Sequence, residues 1–312
     1  MSKRALFLLI VFSTTLLLVS GTSGLSQAKG RNEGKICIAS CQFPVSADIK
    51  ENYRWIKAQI IDAKLKKADV VHFPECALSG YPGADMKTLE GYNWDQLFEV
   101  TDSVSALAKE LKIWVLLGSM HKLSGTNKPH NSLYVINPDG EIIDRYDKRF
   151  CTAGDLKYFS PGDHFVNFKV NGINCGLLIC YDVRFPELYR QYSKTGTQVL
   201  FQSFYNARGN KGSVHPIIMH ITAQAMAGSN HFYMSLTNSS AAESWPCYFI
   251  TPDGLVQNKL TENVPGILIS NVDISNQYYD ASEPFRNDAI DGKLNSGKIV
   301  QDPKSSDRKK IH

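Results

Sequence analysis

Residues 175–187 read CGLLICYDVRFPE, and this stretch decides how the chain is organised. An apolar run of strand length ends at Cys180 and changes at once to a polar segment that Pro186 interrupts. Such a change holds a cysteine at the carboxyl edge of a strand, which is where open α/β sheets carry their chemistry. The pattern therefore predicts an α/β fold with a reactive thiol at Cys180.

A cysteine in that position needs a group that lowers its pKa or accepts its proton. Two earlier segments supply candidates: residues 72–75, HFPE, bring Glu75 to the end of a short apolar run, and residues 146–150, YDKRF, contain Lys148. Taken singly, the three residues have ordinary alternatives, namely a surface-loop glutamate, a solvated lysine and a buried structural cysteine. Together they suggest a Glu-Lys-Cys active site.

Three sequence blocks make the chain resemble the nitrilase superfamily, the carbon-nitrogen hydrolases. In the family's order they are FPE at 73–75, DKR at 147–149 and LICYDVRFPE at 178–187. Further similar sequence stands at residues 131–134, 138–140, 160–163 and 252–254. One block alone would be weak evidence, whereas three in order over residues 35–275 are strong evidence.

The resemblance implies a four-layer αββα sandwich that usually dimerises, with C-terminal segments contributing to the interface. It also implies a role for each residue of the site. Cys180 would attack the carbonyl carbon of an amide to form a thioester, and Glu75 would act as general base and then acid. Lys148 and the backbone N–H of Tyr181 would stabilise the negative charge on the carbonyl oxygen.

One position departs from the family pattern. Many relatives place a glutamate shortly before the SPGD turn at residues 160–163, to orient the lysine and the substrate, and this chain has Asp155 there. The aspartate side chain is one methylene shorter than that of glutamate. Three explanations are open: the backbone lies closer to the lysine, another group replaces the glutamate, or the substrate preference differs from that of the relatives. We expect Asp155 to take the glutamate's role. In the RFPE stretch, Arg184 and Glu187 are expected to form an ion pair that supports the nucleophile loop.

Hydrophobic patterning predicts alternating strands and helices, which argues for a layered α/β domain. The expected strands are residues 35–43, 68–73, 113–118, a hairpin over 132–143, 165–170, 173–179, 198–203, 232–237, 247–251 and 266–272. The expected helices are residues 49–65, 95–111, 186–194 and 215–228. We assign residues 33–277 to one hydrolase domain and residues 278–312 to a C-terminal extension.

The first 28 residues are predicted to be a cleaved secretory signal. Lys3 and Arg4 precede an apolar run over residues 5–19, and residues 26–28, SQA, have the small-x-small pattern of a cleavage site. A membrane anchor is the alternative, although about 15 apolar residues fall short of the ~20 that span a bilayer. The mature chain is expected to be periplasmic or secreted and free of the membrane. Cleavage lowers the formal charge from +4 to +2, since only Lys3 and Arg4 are lost, and nothing in this balance indicates nucleic-acid binding.

The chain contains seven cysteines, an odd number, and the suggested active site uses only one of them. If Cys180 is the free thiol, the other six could form up to three disulfides in an oxidising compartment, or they could be small buried hydrophobes. Cys37 and Cys41, on one face of a predicted strand, fit the second reading. The sequence contains no zinc-type His or Cys spacing and no glycine-rich phosphate loop, so we predict neither a metal nor a cofactor.

The predicted function is hydrolysis of a small-molecule amide. CYD at residues 180–182 resembles the amidase branches, including ω-amidase-like ones, more than true nitrilases. Two alternatives stay open: an N-carbamoyl amine hydrolase, and an inactive binding protein on the same scaffold. A papain-like protease using His164, His215 or His231 is disfavoured, because no papain-type motif surrounds Cys180.

Overall fold

The structure is a computed structural model, and it describes residues 33–209, 212–309 and 311. The predicted signal peptide, residues 1–28, and its cleavage site lie outside these residues. Within the described part of the chain, no helix combines the length and apolarity that crossing a bilayer requires.

Strands and helices alternate along the domain. The strands are β1 (Lys35–Gln42), β2 (Val70–His72), β3 (Trp114–His121), β4 (His130–Ile136), β5 (Ile142–Asp147), β6 (Asn167–Val170), β7 (Ile173–Ile179), β8 (Val199–Ser203), β9 (Tyr233–Thr237), β10 (Tyr248–Ile250), β11 (Val256–Lys259) and β12 (Gly266–Asp273). The helices are α1 (Ile49–Leu65), α2 (Trp94–Leu111), α3 (Pro186–Lys194), α4 (His215–Asn230), α5 (Arg286–Ile290) and α6 (Pro303–Ser306).

The strands form two six-stranded sheets. The first has the order β12-β1-β2-β3-β4-β5 and the second β11-β10-β9-β8-β7-β6. In each, three central strands run parallel, β1-β2-β3 and β7-β8-β9, and antiparallel strands complete the edges. Each sheet is therefore mixed.

Two apolar layers fix the order of sheets and helices. One cluster joins Ile38 and Val70 of the first sheet to Leu177 and Phe201 of the second. The other packs the opposite face of the first sheet against α1 and α2, while α3 and α4 cover the second sheet. Helices thus flank both sheets, and the predicted four-layer αββα sandwich is confirmed.

Sequence patterning located the regular elements closely. Helix α1 has the predicted bounds because Asp48 caps it, accepting hydrogen bonds from the N–H groups of Lys50 and Glu51 at 2.8 and 3.1 Å. Strands β2 and β10 are shorter than predicted, and β11 was not predicted because its sequence, VQNK, is mostly polar and exposed.

The fold brings the ends of strands from both sheets to one place. Glu75 follows β2 and Lys148 follows β5, both in the first sheet, whereas Cys180 follows β7 in the second. The site therefore lies where the two sheets meet.

Candidate active site

Glu75 is a fully buried carboxyl group with one oxygen held and the other open. Its Oε1 accepts hydrogen bonds from Lys148 Nζ at 2.8 Å and Asn131 Nδ2 at 2.7 Å. Its Oε2 has no hydrogen-bond partner among the residues that the structure describes. Burial raises the pKa of Glu75, although Lys148 opposes that change. The free oxygen and the raised pKa suit repeated proton transfer.

Lys148 is a buried ammonium between two carboxylates. It is 1% exposed, and its Nζ donates to Glu75 Oε1 and to Asp155 Oδ2, each at 2.8 Å. Burial alone would lower the pKa of Lys148, but the charge of Glu75 raises it well above its ordinary value. Lys148 therefore stays protonated, and one of its three N–H groups has no acceptor in the described part of the chain.

Asp155 lies where the sequence pattern expected it to act. It begins a 3₁₀ turn, Asp155–Lys157, and its Oδ2 accepts from Lys148 Nζ at 2.8 Å and from the Thr152 N–H at 2.9 Å. Its Oδ1 accepts from the Tyr81 hydroxyl. Burial opposes ionisation, yet Lys148 and these donors hold the pKa of Asp155 below its usual range. The shorter side chain thus reaches the lysine itself, and no other group has to substitute for it.

Cys180 begins the 3₁₀ turn Cys180–Arg184 directly after β7. Its φ of 46° lies in the left-handed region, which is strained for a residue other than glycine. Asn206 Nδ2 lies 3.7 Å from its Sγ. Burial raises the pKa of the Cys180 thiol well above its ordinary value, and the charge of Glu75 adds to this. The thiol is therefore neutral, and a neutral thiol becomes a good nucleophile only when a base takes its proton.

Tyr181 is the second residue of the same turn. The first N–H groups of a helical turn have no partner within it, so the Tyr181 N–H is available beside the thiol. A free backbone N–H next to the thiol is the kind of donor that oxyanion holes use.

Asp182 supports the nucleophile loop, a role the sequence did not reveal. Its Oδ1 accepts from the Phe150 N–H at 2.9 Å, and its Oδ2 accepts from the Tyr146 hydroxyl at 2.8 Å and the Ile179 N–H at 3.1 Å. One buried carboxylate thus joins the segment that carries Lys148 to the turn that carries Cys180. Burial raises the pKa of Asp182 to about 6.

The expected ion pair between Arg184 and Glu187 is wrong. Glu187 is exposed in the first turn of α3, where a negative charge is favoured by the helix dipole, and no ion pair joins the two in the described residues. The Arg184 guanidinium is left without an acidic partner among those residues.

Asn131 and Tyr81 also hold residues of the site by hydrogen bonds, and the sequence analysis did not identify either of them. Asn131 holds Glu75, and Tyr81 holds Asp155 while stacking on Tyr205 with ring centroids 4.8 Å apart. The available signal for the first was an asparagine just before the apolar run of β4, in the segment 131–134 that resembles the family. The second has no local signal, because Tyr81 and Asp155 are 74 positions apart.

The remaining cysteines and histidines do not extend the site. All seven cysteines are free thiols, and Cys41, Cys76, Cys175 and Cys247 are buried. No hydrogen bond joins a described histidine to Cys180; His164, for example, pairs with Asp144 at 3.1 Å. Across residues 33–209, 212–309 and 311, no group of three His, Cys, Asp or Glu side chains could hold a metal ion.

Proteins of known function resemble this chain in sequence. The profile of the carbon-nitrogen hydrolase family matches residues 37–278. The omega-amidase NIT2 of Xenopus tropicalis is 29% identical over 219 residues, covering 67% of this chain and 76% of the relative. The 2-oxoglutaramate amidase of Bacillus subtilis is 30% identical over 173 residues, covering 54% of this chain and 64% of the relative.

A solved structure has the same architecture. It is an amidase of the nitrilase superfamily from Nesterenkonia AN1, which superimposes with a TM-score of 0.70 at 19% identity and covers 86% of this chain and 100% of its own. At that identity the likeness establishes the fold.

Proposed function

The chain belongs to the carbon-nitrogen hydrolase family, and on that premise we propose that it is a cysteine-dependent amidase of small linear amides. The observation that carries the proposal is Glu75. Its Oε1 is fixed by Lys148 and Asn131, while its buried Oε2 lacks a partner among the described residues. A buried carboxylate oxygen without a partner is free to accept a proton, which a neutral thiol must give up when it attacks.

The proposed reaction has two stages, and Glu75 carries the proton in both. Cys180 Sγ attacks the amide carbonyl carbon as Glu75 takes the thiol proton, and the C–N bond then breaks as Glu75 gives that proton to the departing ammonia or amine. A thioester remains on Cys180. Water attacks it, Glu75 accepts a proton from the water, and the thiolate leaves and is reprotonated, releasing a carboxylic acid.

Negative charge on the carbonyl oxygen would be stabilised from two sides. The unused N–H of Lys148 supplies one donor and the Tyr181 backbone N–H the other. Because Lys148 is buried and already aligned by Glu75 and Asp155, it needs no reorganisation as the charge develops.

For the substrate, we propose a monoamide of a short dicarboxylic acid. The two relatives described above carry the names omega-amidase and 2-oxoglutaramate amidase. Arg184 ends the turn that Cys180 begins and has no acidic partner among the described residues, so its guanidinium is available to a carboxylate at the far end of the amide.

A substrate screen tests this proposal. Purified protein is offered succinamate-type monoamides, simple amides such as propionamide, carbamoyl amines and nitriles, and ammonia release is measured. We expect the monoamides to have the highest kcat/KM. Arg184→Ala should raise KM for them and leave propionamide unchanged. Preference for carbamoyl amines would favour the carbamoylase alternative, and absence of turnover with every compound would favour the inactive binding protein.

We propose that the chain is exported after removal of residues 1–28, on the basis of the charged start, the apolar run and the SQA site. N-terminal sequencing of protein from the native host tests this. A mature terminus near Lys29 would support export, and an intact Met1 would contradict it.

We also propose a homodimer, supported by an exposed apolar stripe at the start of α4. Val214, which precedes the helix, and Ile217, Ile218 and Ile221 within it are 62%, 66%, 38% and 52% exposed and follow helical spacing. Helix α4 contains no Asp, Glu, Lys or Arg, so two copies could pair across a two-fold axis without opposing like charges. Light scattering on Ile217→Glu should show a monomer where the unaltered protein is a dimer.

A further inference from the structure

The proposed active site is divided between two sheets, and its geometry depends on how they are aligned. Glu75 and Lys148 follow strands of the first sheet, and Cys180 follows a strand of the second. The layer between the sheets is mostly apolar. Apolar burial is non-directional, so it holds the sheets together without fixing their alignment to a fraction of an ångström. A directional contact between the sheets would supply what the apolar layer lacks.

His72 makes such a contact. It is the last residue of β2, and its side chain is fully buried. Its Nδ1 lies 2.8 Å from Ser235 Oγ in β9, and its Nε2 lies 2.9 Å from Ser203 Oγ in β8. Both serines belong to the second sheet, whereas His72 belongs to the first. The imidazole therefore hydrogen-bonds directly from one sheet to the other.

One arrangement of protons gives every member of this cluster a partner. The Ser203 hydroxyl donates to the Phe73 carbonyl at 2.8 Å, so its oxygen accepts from His72 Nε2–H. His72 Nδ1 then accepts from the Ser235 hydroxyl, whose oxygen accepts from Ser40 at 2.7 Å. Burial lowers the pKa of His72 to about 3, which keeps the ring neutral, as this arrangement requires. A fully satisfied buried network of this kind specifies one geometry.

The same strand end continues into the active site. After Ser203, the Phe204 carbonyl accepts the Glu75 N–H at 3.2 Å, and Asn206 Nδ2 lies 3.7 Å from Cys180 Sγ. The exit of β8 thus contacts His72, the general base and the nucleophile within four residues. A shift of His72 relative to Ser203 would change the distance between Glu75 and Cys180.

We infer that His72 is a positioning residue, which aligns the first sheet with the second and thereby sets Glu75 against Cys180. This rests on the proposed function for the roles of those two residues. His72 itself contacts neither the substrate nor the reacting atoms.

The test compares His72→Leu with a matched control, Val70→Ala. Val70 lies two positions earlier in β2, faces the same apolar layer between the sheets, and makes no side-chain hydrogen bond, so its truncation loosens packing without touching the cluster. His72→Leu should lower kcat about 10²-fold with KM little changed, because misplacement by about 1 Å costs that much. Val70→Ala should lower the unfolding free energy about as much as His72→Leu does. Its kcat should nevertheless stay within about twofold of that of the unaltered protein at 25 °C.

His72→Gln provides the rescue, because its amide can donate toward Ser203 and accept toward Ser235. It should recover part of the lost kcat. If His72→Leu does not fold, His72→Gln and Ser203→Ala carry the same comparison. Equal kcat for the His72 variants and Val70→Ala, at equal stability, would overturn the inference.

A second readout does not need a substrate. Iodoacetamide alkylation of Cys180 at pH 7 should be faster in the unaltered protein than in Glu75→Gln, and His72→Leu should behave like Glu75→Gln. Absence of amide turnover in the unaltered protein would contradict the proposed function, while the alkylation rates would still decide whether His72 sets Glu75 against Cys180. Alkylation of His72→Leu at the unaltered rate would count against the positioning role.

Discussion

The two sheets hold their parts of the site in different ways. In the first, Glu75, Lys148 and Asp155 are buried charges, and each is held by at least two hydrogen bonds from side chains or backbone. In the second, the Cys180 thiol has one weak side-chain contact, at 3.7 Å from Asn206, and is placed by a backbone φ of 46°.

The difference follows from what each group costs to bury. An unpaired charge in the interior is strongly destabilising, so the charged residues need partners to be there at all. A neutral thiol behaves as a small hydrophobe and needs none. The chain can therefore place the Cys180 thiol mainly by backbone geometry. Replacing a site residue beside the first sheet should cost more stability than replacing Cys180.

The largest expected effect comes from Lys148→Met set beside Cys180→Ala. Both should lower kcat/KM by at least about 10³-fold, because each removes an essential part of one unit. Lys148→Met should also lower the unfolding free energy by about 3–5 kcal/mol, since it leaves two buried carboxylates without their cation. Urea denaturation and amide hydrolysis of both variants measure the two effects.

Cys180→Ala serves as the control, with a stability change of about 1 kcal/mol or less. A Lys148→Met protein as stable as Cys180→Ala would mean that the ion pairs do not hold the first-sheet residues. A Cys180→Ala protein that keeps a tenth of the activity would exclude Cys180 as the nucleophile.

The next prediction concerns Asp182, whose carboxylate joins the segment that carries Lys148 to the turn that carries Cys180. Its pKa is about 6 rather than the ordinary 3.8, so the folded state favours the protonated form. The stability contributed by that form is complete below about pH 4 and is lost as the pH rises through 6. The unfolding free energy of the unaltered protein minus that of Asp182→Asn should fall by about 2 kcal/mol between pH 4.5 and 7.5. A difference that does not change with pH would contradict this assignment.

A smaller effect is expected at Asp155, which orients the lysine. Asp155→Asn should lower kcat about 10²-fold by removing the charged partner of Lys148. Asp155→Glu should not restore activity, because the extra methylene must fit where both oxygens of Asp155 already have partners. Kinetics of the two variants give the answer, and a fully active Asp155→Asn would show that Glu75 alone suffices to hold Lys148.

The smallest effect tests the second sheet. If the backbone at Cys180 is strained, Cys180→Gly should be more stable than Cys180→Ala by about 1 kcal/mol, because glycine adopts a positive φ without penalty. Thermal or urea unfolding of the two variants measures how much this backbone strain lowers the stability. Equal stabilities would indicate that the turn relaxes once the sulfur is gone.

The comparison also shows what a sequence reveals. Helices α1 and α3 and strand β7 have the predicted bounds, since periodicity and end signals are local properties of the chain. Glu75, Lys148 and Cys180 could be named because they stand in recognisable blocks. The contacts that hold them could not: Asp182 reaches Phe150 across 32 positions, and His72 reaches Ser203 across 131. No local pattern indicates such a pairing before the strands are arranged.

The seven free thiols have a consequence for the lifetime of the protein. Four of them are buried, so the folded chain protects them from oxidation. Unfolding exposes them together, and formation of non-native disulfides then competes with refolding. In an oxidising medium, heat inactivation becomes a one-way process, and the rate of unfolding rather than the equilibrium stability sets how long activity persists.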